Sequence, residues 1–157
     1  MLLKLSEELP LSASTASVWS LLRDTPRLAA LLPDVDDVSL IDQANAEAYS
    51  ARVSEKIGPF KISMNLEVRV TQAAEPSQLK ASLKGSDSMG LNRMTGTLEI
   101  SLTPEADGTR MHFEASIEIL GKLATLGAVP IRRRATQVFA EFARNIQGQF
   151  PGGATPV

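Results

Sequence analysis

His112 is the only histidine in the chain, and there is no cysteine. A histidine-based hydrolytic triad would have to be built on His112. Thiolate catalysis, disulfides and metal sites made of cysteine or of several histidines are excluded. His112 alternates in phase with Arg110 and Glu114, and out of phase with Met111, Phe113 and Ala115. That phase predicts the outer face of a strand and a surface histidine. Asp34, Asp36 and Asp37 imitate the start of a calcium loop. The imitation fails at Val38, where a third ligand is needed, at the missing glycine in the sixth position, and at Asn45, which replaces the final glutamate. The three aspartates read as turn and strand-start residues. The glycines do not spell a phosphate loop.

Acid–base chemistry needs carboxylates turned inward. Glu55 shares a phase with Tyr49, Ala51 and Val53, close to the strand end at Gly58-Pro59, so it is expected at a rim. Arg132, Arg133 and Arg134 are consecutive. On a helix they fan out over about 200° and cannot all face one way. Either they are ordinary solvated charge, or they form a surface for an anionic lipid, an acidic partner enzyme or a polar head group. Nucleic acid is not expected: the chain carries 16 basic and 18 acidic residues, with one Trp and one Tyr. Charge is unevenly placed. Residues 1–121 hold 11 basic and 17 acidic groups, whereas residues 122–157 hold 5 and 1.

The elements that position these residues follow from periodicity. Residues 2–9 read as a strand ended by Pro10. Ser12, Ser14 and Thr15 offer caps for a helix bearing Val18, Trp19 and Leu22. Thr25-Pro26 starts a second short helix with Leu28, Leu31 and Leu32 buried, and Pro33 stops it. Period two then dominates. Tyr49 to Ile57, Phe60 to Val70, Leu79 to Leu83, Met94 to Leu102 and Met111 to Ile119 each alternate apolar with polar residues. Turns are expected at Gly58-Pro59 and Asp107-Gly108. From Lys122 the spacing becomes helical through Leu123, Leu126, Ala135, Val138, Phe139, Phe142 and Ile146. A kink or break is expected near Pro130, with a continuous helix from about 131 to 148 and a disordered tail over 148–157.

The composition, 43% hydrophobic and 22% charged over 157 residues, suits one folded domain, placed at 1–147. The opening residues lack a secretory signal, and no run is long enough to span a membrane. A cytoplasmic protein is expected, peripheral at most to the inner face of the membrane. Antiparallel strands sharing one apolar face require the long helix to cover it. A curved sheet over one helix leaves a gap between them. Met64, Met94 and Met111 point toward it and adapt to irregular space. Met89, in the loop GSDSMG, is placed at a mouth. The alternative is that these residues simply fill a core.

The segments Lys56-Ile-Gly-Pro-Phe-Lys61 and Asp107-Gly-Thr through Ile119-Leu-Gly-Lys-Leu-Ala-Thr-Leu-Gly127 carry a resemblance. So do Val18-Trp19 and the stop at Leu32-Pro33. Over roughly residues 2–147 the chain resembles the CoxG family of carbon monoxide dehydrogenase subunits, in the START/Bet v 1-like superfamily. Where that family has Pro-Gly after the second helix, this sequence has Pro33-Asp34. Some members continue into an apolar C-terminal anchor. The sequence ends without one, so attachment by that route is not expected. The resemblance implies an α+β helix-grip fold: an antiparallel sheet of six or seven strands wrapped around a long C-terminal helix, with two short helices after the first strand. It implies an apolar small-molecule ligand and an accessory role beside a molybdenum-containing oxidoreductase. No cofactor, no metal and no catalytic residue are expected.

Two functions follow. A carrier would hold a quinone or lipid against Tyr49, Phe60, Met64, Met94, Phe113, Val138 and Phe142, gated by Met89 and by the 123–130 segment with Leu126. It predicts an enclosed apolar pocket of roughly 300–1,000 Å³. An adaptor would hold no ligand and dock an oxidoreductase through Arg132, Arg133 and Arg134. Cyclase or hydrolase activity is a third reading and needs polar groups converging inside the pocket.

Overall fold

The structure is a computed structural model, and it describes residues 1–42 and 47–151. Asn45, weighed above as a calcium ligand, lies outside them, as do residues 152–157.

Seven strands form one antiparallel sheet: β1 (Leu2–Leu11), β2 (Val35–Asp42), β3 (Ala48–Ile57), β4 (Phe60–Ala74), β5 (Gln78–Ser86), β6 (Asn92–Glu105) and β7 (Gly108–Gly121). Their order is β1-β7-β6-β5-β4-β3-β2. Helices α1 (Thr15–Arg23) and α2 (Thr25–Ala29) follow β1, and α3 (Ala128–Gly148) ends the fold. The fold is therefore the expected helix-grip arrangement, with the sheet curved around α3.

Local chemistry explains the boundaries. Ser14 caps α1, accepting from the Ser17 amide at 3.2 Å. Asp24 caps α2 through the Arg27 amide. The β3–β4 hairpin is closed by Gly58 and Pro59 between the paired Ile57 and Phe60. Gly58 has φ +58°, the left-handed value that the first position of this two-residue turn demands.

Two boundaries differ from the sequence reading. β1 does not stop at Pro10. Pro10 pairs with Arg110, and the strand runs on to Leu11. The strand lies at the sheet's edge, and the Pro10 carbonyl accepts from Gln147. Its missing N–H therefore faces away from β7 and breaks no ladder bond. The second difference is at Pro130. It is the third residue of α3, where backbone N–H groups have no helical partner, so it neither kinks nor breaks the helix. The interruption falls at Gly127, with φ +81°. Leu123 and Leu126 belong to a separate 3-10 turn, Lys122–Leu126. At the C-terminal end Gly148 closes α3, and Phe150 packs against the core.

The core divides in two. One cluster joins Leu9, Leu11, Val18, Trp19, Leu22, Met111, Phe142 and Ile146 around α1 and the C-terminal half of α3. The other joins Leu3, Ile62, Met64, Ile119, Leu123 and Ile131 around the hairpin and the N-terminal half of α3.

Candidate functional site

Between the two clusters the sheet's inner face is apolar but not closed. By register, Leu5, Ala51, Val53, Leu66, Val68, Ala81 and Leu98 point to the side that α3 covers. Each is only half-buried, as is Val138 on the helix. None belongs to either cluster. Side chains facing a packed helix would lose nearly all their exposed surface. These stay partly exposed, although Leu83 and Ala115 on the same face are buried, so α3 covers the middle of the sheet incompletely and leaves a shallow trough there.

Polar groups flank the trough. Arg134 reaches from α3 across to Glu55 on β3, Nε to Oε2 at 2.7 Å, and to Asp34 Oδ2 at 3.2 Å. The Glu55 side chain is 13% exposed and that of Arg134 29%. Glu55 is thus at the rim, as its phase predicts, but tied into an ion pair. Asp34 has φ +61°, a left-handed conformation that glycine takes most readily. It adopts the turn glycine would make and adds a carboxylate to the link. On the opposite flank Arg132 donates to the Lys4 carbonyl at 2.8 Å. Arg133 is exposed and has no hydrogen-bond or ion-pair partner among the described residues. The three arginines thus divide between the two edges of the sheet and solvent.

A second polar set lies beyond the first cluster, where α1, α2 and β3 meet. Arg23 and Tyr49 both bond Glu47: Arg23 Nη2 donates to one carboxylate oxygen, and the Tyr49 hydroxyl donates to the other at 2.9 Å. Burial holds the Tyr49 hydroxyl above its ordinary pKa, opposed by a hydrogen bond from Thr25. The cleft over this set has a volume of about 600 Å³ and is walled by Trp19 and Tyr49.

The expected ligand residues separate along the helix. Phe60, Met64, Met94 and Leu126 gather in or against the hairpin cluster. Phe113 and Phe142 belong to the α1 cluster, linked through Phe139, whose ring centroid is 5.4 Å from that of Phe113. Val138 lies between, Tyr49 in the far cleft, and Met89 is 79% exposed on its loop. The clefts beside Tyr49, beside Glu55 and Arg134, and beside Met89 are open grooves with mixed linings, and none of these three is the enclosed apolar pocket expected from sequence. Strand phase reports which face a residue takes. It does not report where along a 21-residue helix that residue meets its partner.

Sequence reasoning missed three polar residues near the site. Glu7 shares the inner phase of β1 with Leu5 and Leu9, a signal available from alternation. Arg23 and Glu47 gave none, because their meeting depends on the path between α1 and β3. His112 is where its phase puts it, on the outer face. Nε2 is 3.1 Å from Glu114 and Nδ1 is 3.4 Å from Glu8. Among the described residues no group of three or more acidic or histidine side chains is placed to hold a metal. No helix there is long and apolar enough to cross a membrane.

Comparison with known proteins adds the following. Residues 8–150 match the family of the carbon monoxide dehydrogenase subunit CoxG. A conserved protein from Geobacillus kaustophilus superposes with a TM-score of 0.83 at 24% identity, over 94% of both chains. A START superfamily protein from Mycobacterium smegmatis gives 0.69 at 15%, over 93% of this chain and 95% of that one. The di-domain ARO/CYC StfQ from the steffimycin biosynthetic pathway gives 0.67 at 12%, over 94% of this chain and half of that one. At these identities the structures share the START/Bet v 1-like fold. No curated protein matches the chain.

Proposed function

This chain belongs to the CoxG family of carbon monoxide dehydrogenase subunits, and we propose that it is a non-catalytic carrier of an apolar small molecule. The favoured cargo is a quinone or a lipid, held in the trough between the sheet and α3. The partner it serves is a molybdenum-containing oxidoreductase of the carbon monoxide dehydrogenase type. One observation carries the reading. An apolar inner face, from Ala51 to Leu98, stays half-buried beneath a helix that is packed at both ends. Leaving such a surface unfilled forfeits burial worth about 25 cal/mol per Å². A ligand that fills it recovers that energy.

The trough has the rim chemistry of a binding protein. At its rim Glu55 and Arg134 neutralise each other, and Glu7 shares the inner phase of β1 with Leu5. The carrier reading is tested by native mass spectrometry of freshly purified protein, with solvent extraction. One apolar molecule per chain supports it. A ligand-free chain that also takes up neither quinone nor lipid overturns it.

A second reading has its own support. Arg133 and Val129 stand exposed at the start of α3, Val129 at 68%, and Arg132 is beside them. That edge suits docking to an acidic partner or, peripherally, to the inner membrane face. Arg132→Gln with Arg133→Gln would weaken such docking and flatten its salt dependence. An unchanged salt dependence removes this reading.

A further inference from the structure

We infer that the start of β4 is a docking edge for an acidic, extended peptide segment of a partner protein, which adds to the sheet as a short strand beside Lys61 and Ser63. The site lies outside the trough and apart from the start of α3, and it does not depend on what the trough holds.

β4 runs further than the strand beside it. It pairs with β3 from Phe60 onward, but β5 first meets it at Asn65, opposite Ser86. Ile57 and Phe60 close the two-residue turn, so Phe60, Ile62 and Met64 turn their backbone groups toward β3. Lys61 and Ser63 turn theirs the other way, to the side that β5 has left. Among the described residues no turn or loop backbone group bonds them there, and both residues are exposed. Two N–H and two C=O groups thus face water over about 10 Å of strand. Such an edge is a template for another strand.

The loop between β5 and β6 is held off this edge. Asp87 accepts from the Leu91 amide at 2.7 Å and from Asn92 Nδ2 at 2.9 Å. Asn92 Oδ1 accepts from the Leu123 amide at 2.6 Å, and the Leu91 carbonyl accepts from the Lys122 amide at 3.0 Å. These bonds tie the loop to the 3-10 turn and leave a groove of about 350 Å³ between the loop and β4. They also hold Met89 and Leu91 outward, 79% and 49% exposed, with Phe60 lining the same groove. Fixed apolar side chains beside open backbone groups suit a peptide, whose backbone supplies bonds and whose alternate side chains supply contacts. A lipid surface has no backbone to match that spacing.

Charge chooses the peptide. Lys61 and Lys122 line the groove, and Lys56 is paired with Lys61 across the hairpin. The carboxylate among them, Asp87, is engaged by its own loop. A residue paired with Lys61 sets its side chain on the same face, so an acidic one is favoured there and a basic one repelled. The same charge opposes a second copy that would dock through this surface against itself.

The test begins with the free chain. Amide exchange followed by NMR should be fast at Lys61 and Ser63 and slow at Ile62 and Met64. Slow exchange at all four overturns the inference. Random octapeptides displayed on phage are then selected on the full chain. Those enriched should alternate acidic with apolar residues. The tightest, made synthetically, should slow exchange at Lys61 and Ser63 on the order of tenfold or more. N-methylating that peptide at the two alternate residues that meet Lys61 and Ser63 should weaken binding on the order of tenfold. N-methylating the residues between them, whose N–H groups point away, should leave it unchanged. Lys61→Gln should weaken binding roughly twofold to fivefold and flatten its salt dependence. The inference falls if no peptide is enriched, if the bound peptide leaves Lys61 and Ser63 unprotected, or if both sets of N-methyl groups act alike. Phosphatidylglycerol vesicles that protect these amides where no peptide does overturn it too, and assign the edge to a membrane.

Discussion

The two ends of α3 are held to the sheet by different chemistry. At the C-terminal end Phe142 and Ile146 sink into a cluster with Trp19, Leu9, Leu22 and Met111, and Ile146 is wholly buried. At the N-terminal end Ile131 is the one α3 residue within the hairpin cluster itself. The rest of the hold there is polar: Arg134 to Glu55 and Asp34 on one flank, and Arg132 to the Lys4 carbonyl on the other. Apolar burial resists separation at every angle. A few directed bonds can be exchanged for water one at a time. The helix is thus anchored at one end and latched at the other, with the trough between.

The contrast can be broken in order of effect. Phe142→Ala at the anchored end should cost about 3–5 kcal/mol, read from the urea midpoint. Arg134→Met at the latched end should cost about 1–3 kcal/mol. Its clearer mark is faster hydrogen exchange across residues 128–135, with the 139–146 segment unchanged. If both segments loosen together, the two ends are one cooperative unit and the distinction fails. Val138→Phe probes the space between. In a filled core the added volume would cost about 1–3 kcal/mol. Over an open trough it should cost less than about 1 kcal/mol and lower the affinity for apolar ligands. The smallest effect lies outside the comparison and calibrates it. The hydrogen bond to Glu114 raises the pKa of His112, partly offset by burial. Its contribution is therefore present below about pH 6.5 and fades as pH rises through the higher folded value. His112→Gln should remove that part of the pH dependence and leave exchange at both ends of α3 alike.

Much of the fold was legible because strands announce themselves by alternation. Phe60 to Val70 and Met111 to Ile119 are apolar and polar in turn, and β4 and β7 cover them with the expected faces. Trp19, Val18 and Leu22 were placed on a buried helix face from their spacing and a capping serine. Pro10 and Pro130 misled for one reason. Proline is read as a terminator, yet it is tolerated wherever its absent N–H had no bond to make. An edge strand and a first helical turn are two such places, and sequence does not say which strand is at the edge. The site was legible in part. Glu55 was found by phase, but its partner Arg134 lies 79 residues on. The Arg23–Glu47–Tyr49 set was invisible, since only tertiary geometry joins the end of α1 to the start of β3.

Pro10 has a consequence for how copies of this chain meet. A sheet with two free edges invites further strands, and such pairing leads to fibres. Along β1 the invitation is withdrawn position by position. Pro10 offers no donor, its carbonyl is occupied by Gln147, and the Lys4 carbonyl is occupied by Arg132. The opposite edge, β2, shifts register twice against β3 and presents no straight template. The side chains that tie α3 down therefore also stand guard against self-association, which keeps an open-edged sheet compatible with a crowded solution.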